Sequence, residues 1–324
     1  MIPRYAAVLA LMLPLAGFSL SAQTDGVRDT VVHFTRGTMT IEGTLVLPAG
    51  KGPWPAAVII AGSGPTDRDG NSPAGIATDM YRMLAQGLAE RGIASLRYDK
   101  RGLPSSRGTM NMATTTLADF ASDAAAAARL LAARSDIRRV VLVGHSEGGM
   151  LAMLAARDSA SIAALVLVSA AGRDATTILR EQLARQFPPE LMARFDTAWA
   201  AYLKGDTTVK PPKELFALFV PVNRAFLQSW QAIDPVDLLR TISLPTLVLQ
   251  GETDVQVTPA DARALASARS GVKLVLLPGV NHVLKLASGS TAAEQMSVYT
   301  DRTLPLASGV VPAIADFIRS LRRQ

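Results

Sequence analysis

Val140-Val141-Leu142-Val143-Gly144-His145-Ser146-Glu147-Gly148 is the stretch on which the reading of this chain turns. It begins as an unbroken apolar run, the mark of a strand buried on both faces. It continues as Gly-x-Ser-x-Gly, and Glu147 to Ala156 then reads as a helix. A serine between a buried strand and a helix occupies a strained turn, and glycines on either side allow the backbone to pass close to its neighbours. The hydroxyl then stands at a helix N-terminus, where the dipole favours developing negative charge. Ser146 is therefore a candidate nucleophile, on the strength of its context more than of the short pattern.

Outward from this turn, strand and helix signals alternate. Val31 to Arg36 and Thr40 to Leu47 have the period of antiparallel strands. Ala56 to Ala61 is a second unbroken apolar run. Asp79 to Arg91 places Met80, Met83, Leu84 and Leu88 on one side of a helix that Gly92 closes. Ile93 to Tyr98 reads as a strand and Leu117 to Arg134 as an alanine-rich helix. Beyond the serine, Ile162 to Val168, Leu244 to Leu249 and Val272 to Leu277 read as strands, and Pro259 to Ala268 and Val310 to Leu321 as helices. Such alternation predicts an α/β fold, a mostly parallel central sheet flanked by helices through right-handed crossovers.

One stretch breaks the rhythm. Between Gly172 and Leu239 there is no buried-strand run; Ala175 to Phe187, Leu191 to Leu203 and Glu214 to Ile233 have helical spacing, separated by Pro188-Pro189 and Pro211-Pro212. An all-helical insertion above the C-terminal ends of the strands reads as a lid. The expected organisation is a core of 23–172 and 240–324 with a helical cap at 173–239. Ala287 to Thr303, rich in Ser, Thr and Gly, is the least structured piece by composition.

The chain has 324 residues, 49% hydrophobic and 19% charged, an ordinary globular balance. With Cys 0, disulfides, thiolate zinc sites and cysteine nucleophiles are excluded. The net charge of +6 is scattered, and 5% aromatic content offers no stacking platform, so a solvated basic surface is expected and no nucleic-acid partner. Arg4, the apolar run Ala6 to Leu15 and a small-residue site at Ser19-Leu20-Ser21 or Leu20-Ser21-Ala22 predict an export signal over 1–22. A bilayer-spanning helix needs about 20 apolar residues. The expected location is periplasmic or secreted, with no stable membrane insertion once the signal is removed.

A serine hydroxyl needs a base within hydrogen-bond reach, and the chain has 3 histidines. His33 lies in an outer strand. His145, inside the turn, is expected to pack or hydrogen-bond nearby, away from the reaction face of the serine. His282 follows the strand Val272 to Leu277 and the turn Pro278-Gly279-Val280-Asn281, on the sheet edge where groups that act on ligands gather. The imidazole in turn needs an acceptor that fixes its tautomer. Asp254 supplies it just past Leu244 to Leu249; Glu252 lies too close to the strand end, and Asp261 falls in the first turn of a helix. The chain order Ser146, Asp254, His282 fits the expected fold. An oxyanion would be held by the backbone N–H groups of Glu147 and of Ser63 in Gly62-Ser63-Gly64. No Gly-Lys-Ser/Thr follows that turn, which removes a phosphate-loop reading.

At these residues the chain resembles the α/β-hydrolase superfamily, and within it the carboxylesterases grouped with the serine aminopeptidase-like hydrolases. The resemblance rests on Gly62 to Asn71, Arg97-Tyr98-Asp99-Lys100-Arg101-Gly102, Gly144 to Gly149, Gly251 to Asp254 and Asn281-His282. It implies hydrolysis of small to medium acyl esters under a helical cap, with neither cofactor nor metal. Ala61 stands where a His-Gly pair is common, a departure that touches the positioning of the oxyanion turn. The loop Asp67 to Asn71 either closes over the sheet edge or is a turn held by its Asp side chains. Two rival functions remain. One is a peptidase that holds a substrate amine with Glu181, Glu190, Asp196 or Glu214; the other is a binding protein on a hydrolase scaffold.

Overall fold

Strand residues of alternating direction and helices with one apolar face build three layers. The computed structural model describes residues 26–157, 159–287 and 292–321; the expected export signal lies outside them. In chain order the strands are β1 (Arg28–Arg36), β2 (Met39–Leu47), β3 (Trp54–Ile60), the short pair β4 (Asn71–Ser72) and β5 (Ile76–Ala77), β6 (Ala94–Tyr98), β7 (Ile137–His145), β8 (Ala164–Val168), β9 (Thr246–Gly251) and β10 (Val272–Leu277). The helices are α1 (Met80–Ala89), α2 (Leu117–Ala132), α3 (Glu147–Arg157), α4 (Ala175–Ala184), α5 (Pro189–Leu203), α6 (Arg224–Gln231), α7 (Pro235–Arg240), α8 (Pro259–Ser267), α9 (Ala292–Tyr299) and α10 (Val310–Ser320).

The main sheet has the order β1-β2-β6-β3-β7-β8-β9-β10, with β2 antiparallel to its neighbours and parallel pairing from β6 to β10. Period-2 alternation divides each central strand between two cores. Val58 and Ile60 of β3, Val140 and Leu142 of β7, and Leu165 and Leu167 of β8 pack toward α2 and α3. Ala57 and Ile59, Val141 and Val143, and Val166 and Val168 pack toward α1 and α10. Burial on both faces is why these strands read as unbroken apolar runs. A parallel sheet also sends the ends of β3, β7, β9 and β10 to one edge, and that edge carries Gly62, Ser146, Asp254 and His282.

The α/β alternation expected from the sequence is observed, with differences at particular places. The helix expected over Glu214 to Ile233 is broken: Lys213–Leu218 and Pro221–Asn223 are 3-10 turns, and only α6 is α-helical. Pro221 has no N–H to give and clashes with a preceding turn, so the helix restarts after it. Part of Ala287 to Thr303, expected to lack structure, forms α9, whose Val298 and Tyr299 are buried in the α1/α10 core. Strand β7 begins at Ile137, earlier than its apolar run, because Ile137 pairs with Trp54 through a register shift.

Candidate active site

Ser146 follows β7 with a φ of 55°, a left-handed conformation that costs a non-glycine residue energy and recurs at functional turns. The turn closes against its own helix and against β3. A Cβ on Gly144 would lie 2.1 Å from the Gly148 carbonyl oxygen, and one on Gly148 would lie 2.3 Å from that of Ile60. Glycine is required at both places by close approach, as the sequence reading expects.

His282 and Asp254 meet: His282 Nδ1 lies 2.8 Å from Asp254 Oδ2, with both side chains buried. A carboxylate accepts, so Nδ1 carries the proton and Nε2 has its lone pair free. Asp254 also accepts from the amides of Gln256 (2.8 Å) and Val257 (3.0 Å) and from Gln250 Nε2 (3.1 Å). Burial opposes its ionisation, but the His282 ring and these donors outweigh burial and hold its carboxyl below the usual range. The rival acids are engaged elsewhere or misplaced. Asp261 caps α8 and binds Arg173 at 2.8 and 2.9 Å.

Ser146 and His282 line one cavity of about 270 Å³, together with Ser63 and Glu147. Its remaining wall is largely apolar: Ile178, Trp199, Leu218, Leu227 and Trp230 come from the insertion between β8 and β9, and Met80 and Val283 from the sheet side. The structure thus gathers the residues singled out in the sequence at one site. None of the insertion's carboxylates weighed as amine ligands is among the lining residues. Glu181 pairs with Arg173 at 2.5 Å and Asp196 with Arg180 at 2.8 Å, while Glu190 and Glu214 are exposed.

Several residues to which the sequence reading gives no role of their own hold this site. Lys100 is 5% exposed; its Nζ donates to the Gly62 carbonyl at 2.5 Å and lies 3.7 Å from Glu147 Oε1. Burial pushes its ammonium below the usual lysine range, with Glu147 opposing. Arg97 binds Asp69 at 2.8 Å, and Asp99 accepts from the Arg68 amide at 2.7 Å. The motif Arg97 to Gly102 is therefore a clamp on the loop that carries Gly62 and Ser63. That loop is itself a turn held by its Asp side chain, since Asp67 Oδ1 accepts from the amides of Asp69 and Asn71. The structural alternative for Asp67 to Asn71 is the one observed, although Thr66 and Gly70 also reach the cavity wall.

His145 hydrogen-bonds nearby, as expected, and does so through both ring nitrogens. The Gly62 amide donates to Tyr81 Oη at 2.9 Å, Tyr81 Oη lies 2.8 Å from His145 Nδ1, and His145 Nε2 lies 2.8 Å from the His282 carbonyl oxygen. A carbonyl only accepts, so Nε2 of His145 donates and its Nδ1 accepts from the tyrosine. Burial, reinforced by the neighbouring His282, pushes its pKa down to about 3, so the ring stays neutral. Because Tyr81 occupies the Gly62 amide, the next amide of the turn, that of Ser63, is the one left for a ligand. The sequence shows His145 inside the turn, but nothing in the spacing links it to Tyr81. His33, by contrast, is exposed on β1 beside Glu42.

Comparison with known proteins identifies the family and the fold. A family profile described as serine aminopeptidase, S33, matches residues 75–286. A Thermotoga maritima protein named esterase EstD is 30% identical over 261 residues, 79% of this chain. The chain spans 61% of that curated relative's length. Among solved structures, the α/β hydrolase GrgF from Penicillium sp. sh18 aligns with a TM-score of 0.60 at 19% identity, over 91% of this chain and 99% of that one. Est1E from Butyrivibrio proteoclasticus, solved with ferulic acid bound, aligns with a TM-score of 0.57 at 19% identity, over 90% and 98%. These last two likenesses establish a common α/β-hydrolase fold.

Proposed function

This chain belongs to the serine aminopeptidase, S33 family of α/β hydrolases, and we propose that within it the protein is a serine carboxylic-ester hydrolase acting through an acyl-enzyme. The observation that carries the proposal is the buried His282–Asp254 pair opening onto the same cavity as the strained Ser146. In the proposed reaction Ser146 Oγ attacks the ester carbonyl carbon and passes its proton to His282 Nε2. Asp254 keeps the proton on Nδ1 and stabilises the imidazolium. The amides of Ser63 and Glu147 receive the oxyanion, in a turn that Lys100 and Tyr81 hold in place. The C–O bond to the alcohol then breaks as His282 returns the proton to the leaving oxygen. Water, activated by the same imidazole, attacks the acyl-serine and releases the acid. We further read 173–239 as a cap that supplies the apolar wall.

The family description makes aminopeptidase activity the natural rival. An aminopeptidase must neutralise a substrate ammonium, and the one carboxylate among the described residues lining the cavity is Glu147, already beside Lys100. An apolar wall favours an uncharged ester instead. The test compares a p-nitrophenyl acyl ester with an aminoacyl p-nitroanilide on the purified protein, with Ser146→Ala as control. The proposal expects ester turnover that the control lacks, exceeding anilide turnover by at least about 10²-fold. Preference for the anilide would reverse the assignment.

A further inference from the structure

A second cavity, of about 490 Å³, adjoins the first. It lies between the loop that follows β6 and the segment Leu218 to Trp230, with Met110, Met112, Phe120 and Phe226 as its apolar walls. The two cavities share Ser63, Glu147, Leu218, Leu227 and Trp230, so they meet at the turn proposed to hold the oxyanion. Ser146 and His282 line only the first. The volume lies within the roughly 300–1,000 Å³ of ordinary small-molecule pockets, and the cationic groups at its floor are already satisfied. Arg101 is bound by Asp123 at 2.6 and 2.7 Å, and Lys100 by the Gly62 carbonyl. Neither needs an anionic ligand.

The chemistry of ester cleavage assigns the two arms. The leaving oxygen must take a proton from His282, so the alcohol belongs in the cavity that His282 lines. The carbonyl oxygen sits at Ser63 and Glu147, and the remaining substituent of the tetrahedral carbon, the acyl group, points away from His282. We propose that the second cavity is the acyl subsite, and that the preferred substrates are esters of uncharged medium-chain or arylalkyl carboxylic acids. This rests on the ester-hydrolase reading given above. Leu218, Leu227 and Trp230 then form a partition between acyl and alcohol, carried on the cap.

The test measures kcat/KM for p-nitrophenyl acetate, butyrate and octanoate with the wild-type protein and with Met110→Trp, which fills the second cavity. Burying each added methylene allows a gain of up to about fourfold, so the wild type is expected to favour octanoate over acetate. In Met110→Trp the octanoate-to-acetate ratio falls at least about tenfold. Met112→Trp is the second variant: Met112 lines the same cavity but is 43% exposed, so the fold tolerates the change if Met110→Trp does not. An unchanged ratio in folded Met110→Trp and Met112→Trp overturns the subsite. So does a loss that follows the length of the alcohol in a series of acetate esters. A wild type that hydrolyses none of these esters overturns the ester-hydrolase reading itself, and the subsite with it.

Discussion

His145 is buried, neutral and hydrogen-bonded at both nitrogens, which ties the Gly62 turn to the backbone of His282 through one ring. Its folded-state pKa of about 3 lies below the ordinary value of about 6.5. Below pH 6.5 the unfolded chain takes up a proton that the folded chain refuses, so this residue's contribution is complete above that pH and is lost as pH falls toward 3. The loss by pH 5 is about 2 kcal/mol. His145→Gln keeps an amide donor that reaches the His282 carbonyl, as Nε2 does, and removes the titration. Its unfolding free energy, followed by urea denaturation between pH 7 and 5, is expected to fall by about 2 kcal/mol less than that of the wild type. Equal falls would mean that His145 titrates normally in the fold. At this scale the sequence was informative about Ser146, Asp254 and His282 because each follows a strand of recognisable pattern. Tyr81 and Lys100 stayed silent, since what matters about them is a contact across 19 and 38 residues.

Lys100 joins two elements, the end of β6 and the turn after β3. Lys100→Met leaves the Gly62 carbonyl and Glu147 buried without their cation. Removing one partner of a buried pair costs about 3–5 kcal/mol, and displacing the turn proposed to hold the oxyanion is expected to cost about 10²-fold in kcat. Thermal unfolding together with ester kinetics checks both, with the loss expected in kcat more than in KM. A variant with native stability and native kcat would refute the clamp. The elements themselves were legible where burial imposes a period. Strands β3, β7 and β8 read as apolar runs because both faces are covered, and α1 by its apolar stripe. The insertion was legible as helical but not in detail, because Pro221 divides a segment whose spacing alone suggests continuity. Helix α9 was missed because Ser and Thr dominate its surroundings, while the buried Val298 and Tyr299 that order it find their partners on distant helices.

At the scale of the molecule the described residues form separate apolar clusters: two against the sheet, and a third inside the insertion around Phe195, Trp199, Tyr202 and Phe219. An insertion with its own core can loosen without the sheet. Phe195→Ala, at a fully buried position, is expected to cost about 3–5 kcal/mol there. Hydrogen exchange should then accelerate at α5 amides and not at those of β3 and β7; equal acceleration in both would show that insertion and sheet unfold as one unit. The same division lets a rigid sheet edge hold Ser146, Asp254 and His282 while the insertion, in the proposed role of a cap, lines the cavity above them. The proposed catalysis depends on activation of Ser146 by the His282–Asp254 pair. Reaction with a fluorophosphonate, followed by intact mass and peptide mapping for the wild type, His282→Asn and Asp254→Asn, tests it most directly. A single adduct on Ser146 is expected, slowed by roughly 10³-fold or more in both variants. An adduct on another residue, or equal labelling rates in all three proteins, would contradict it.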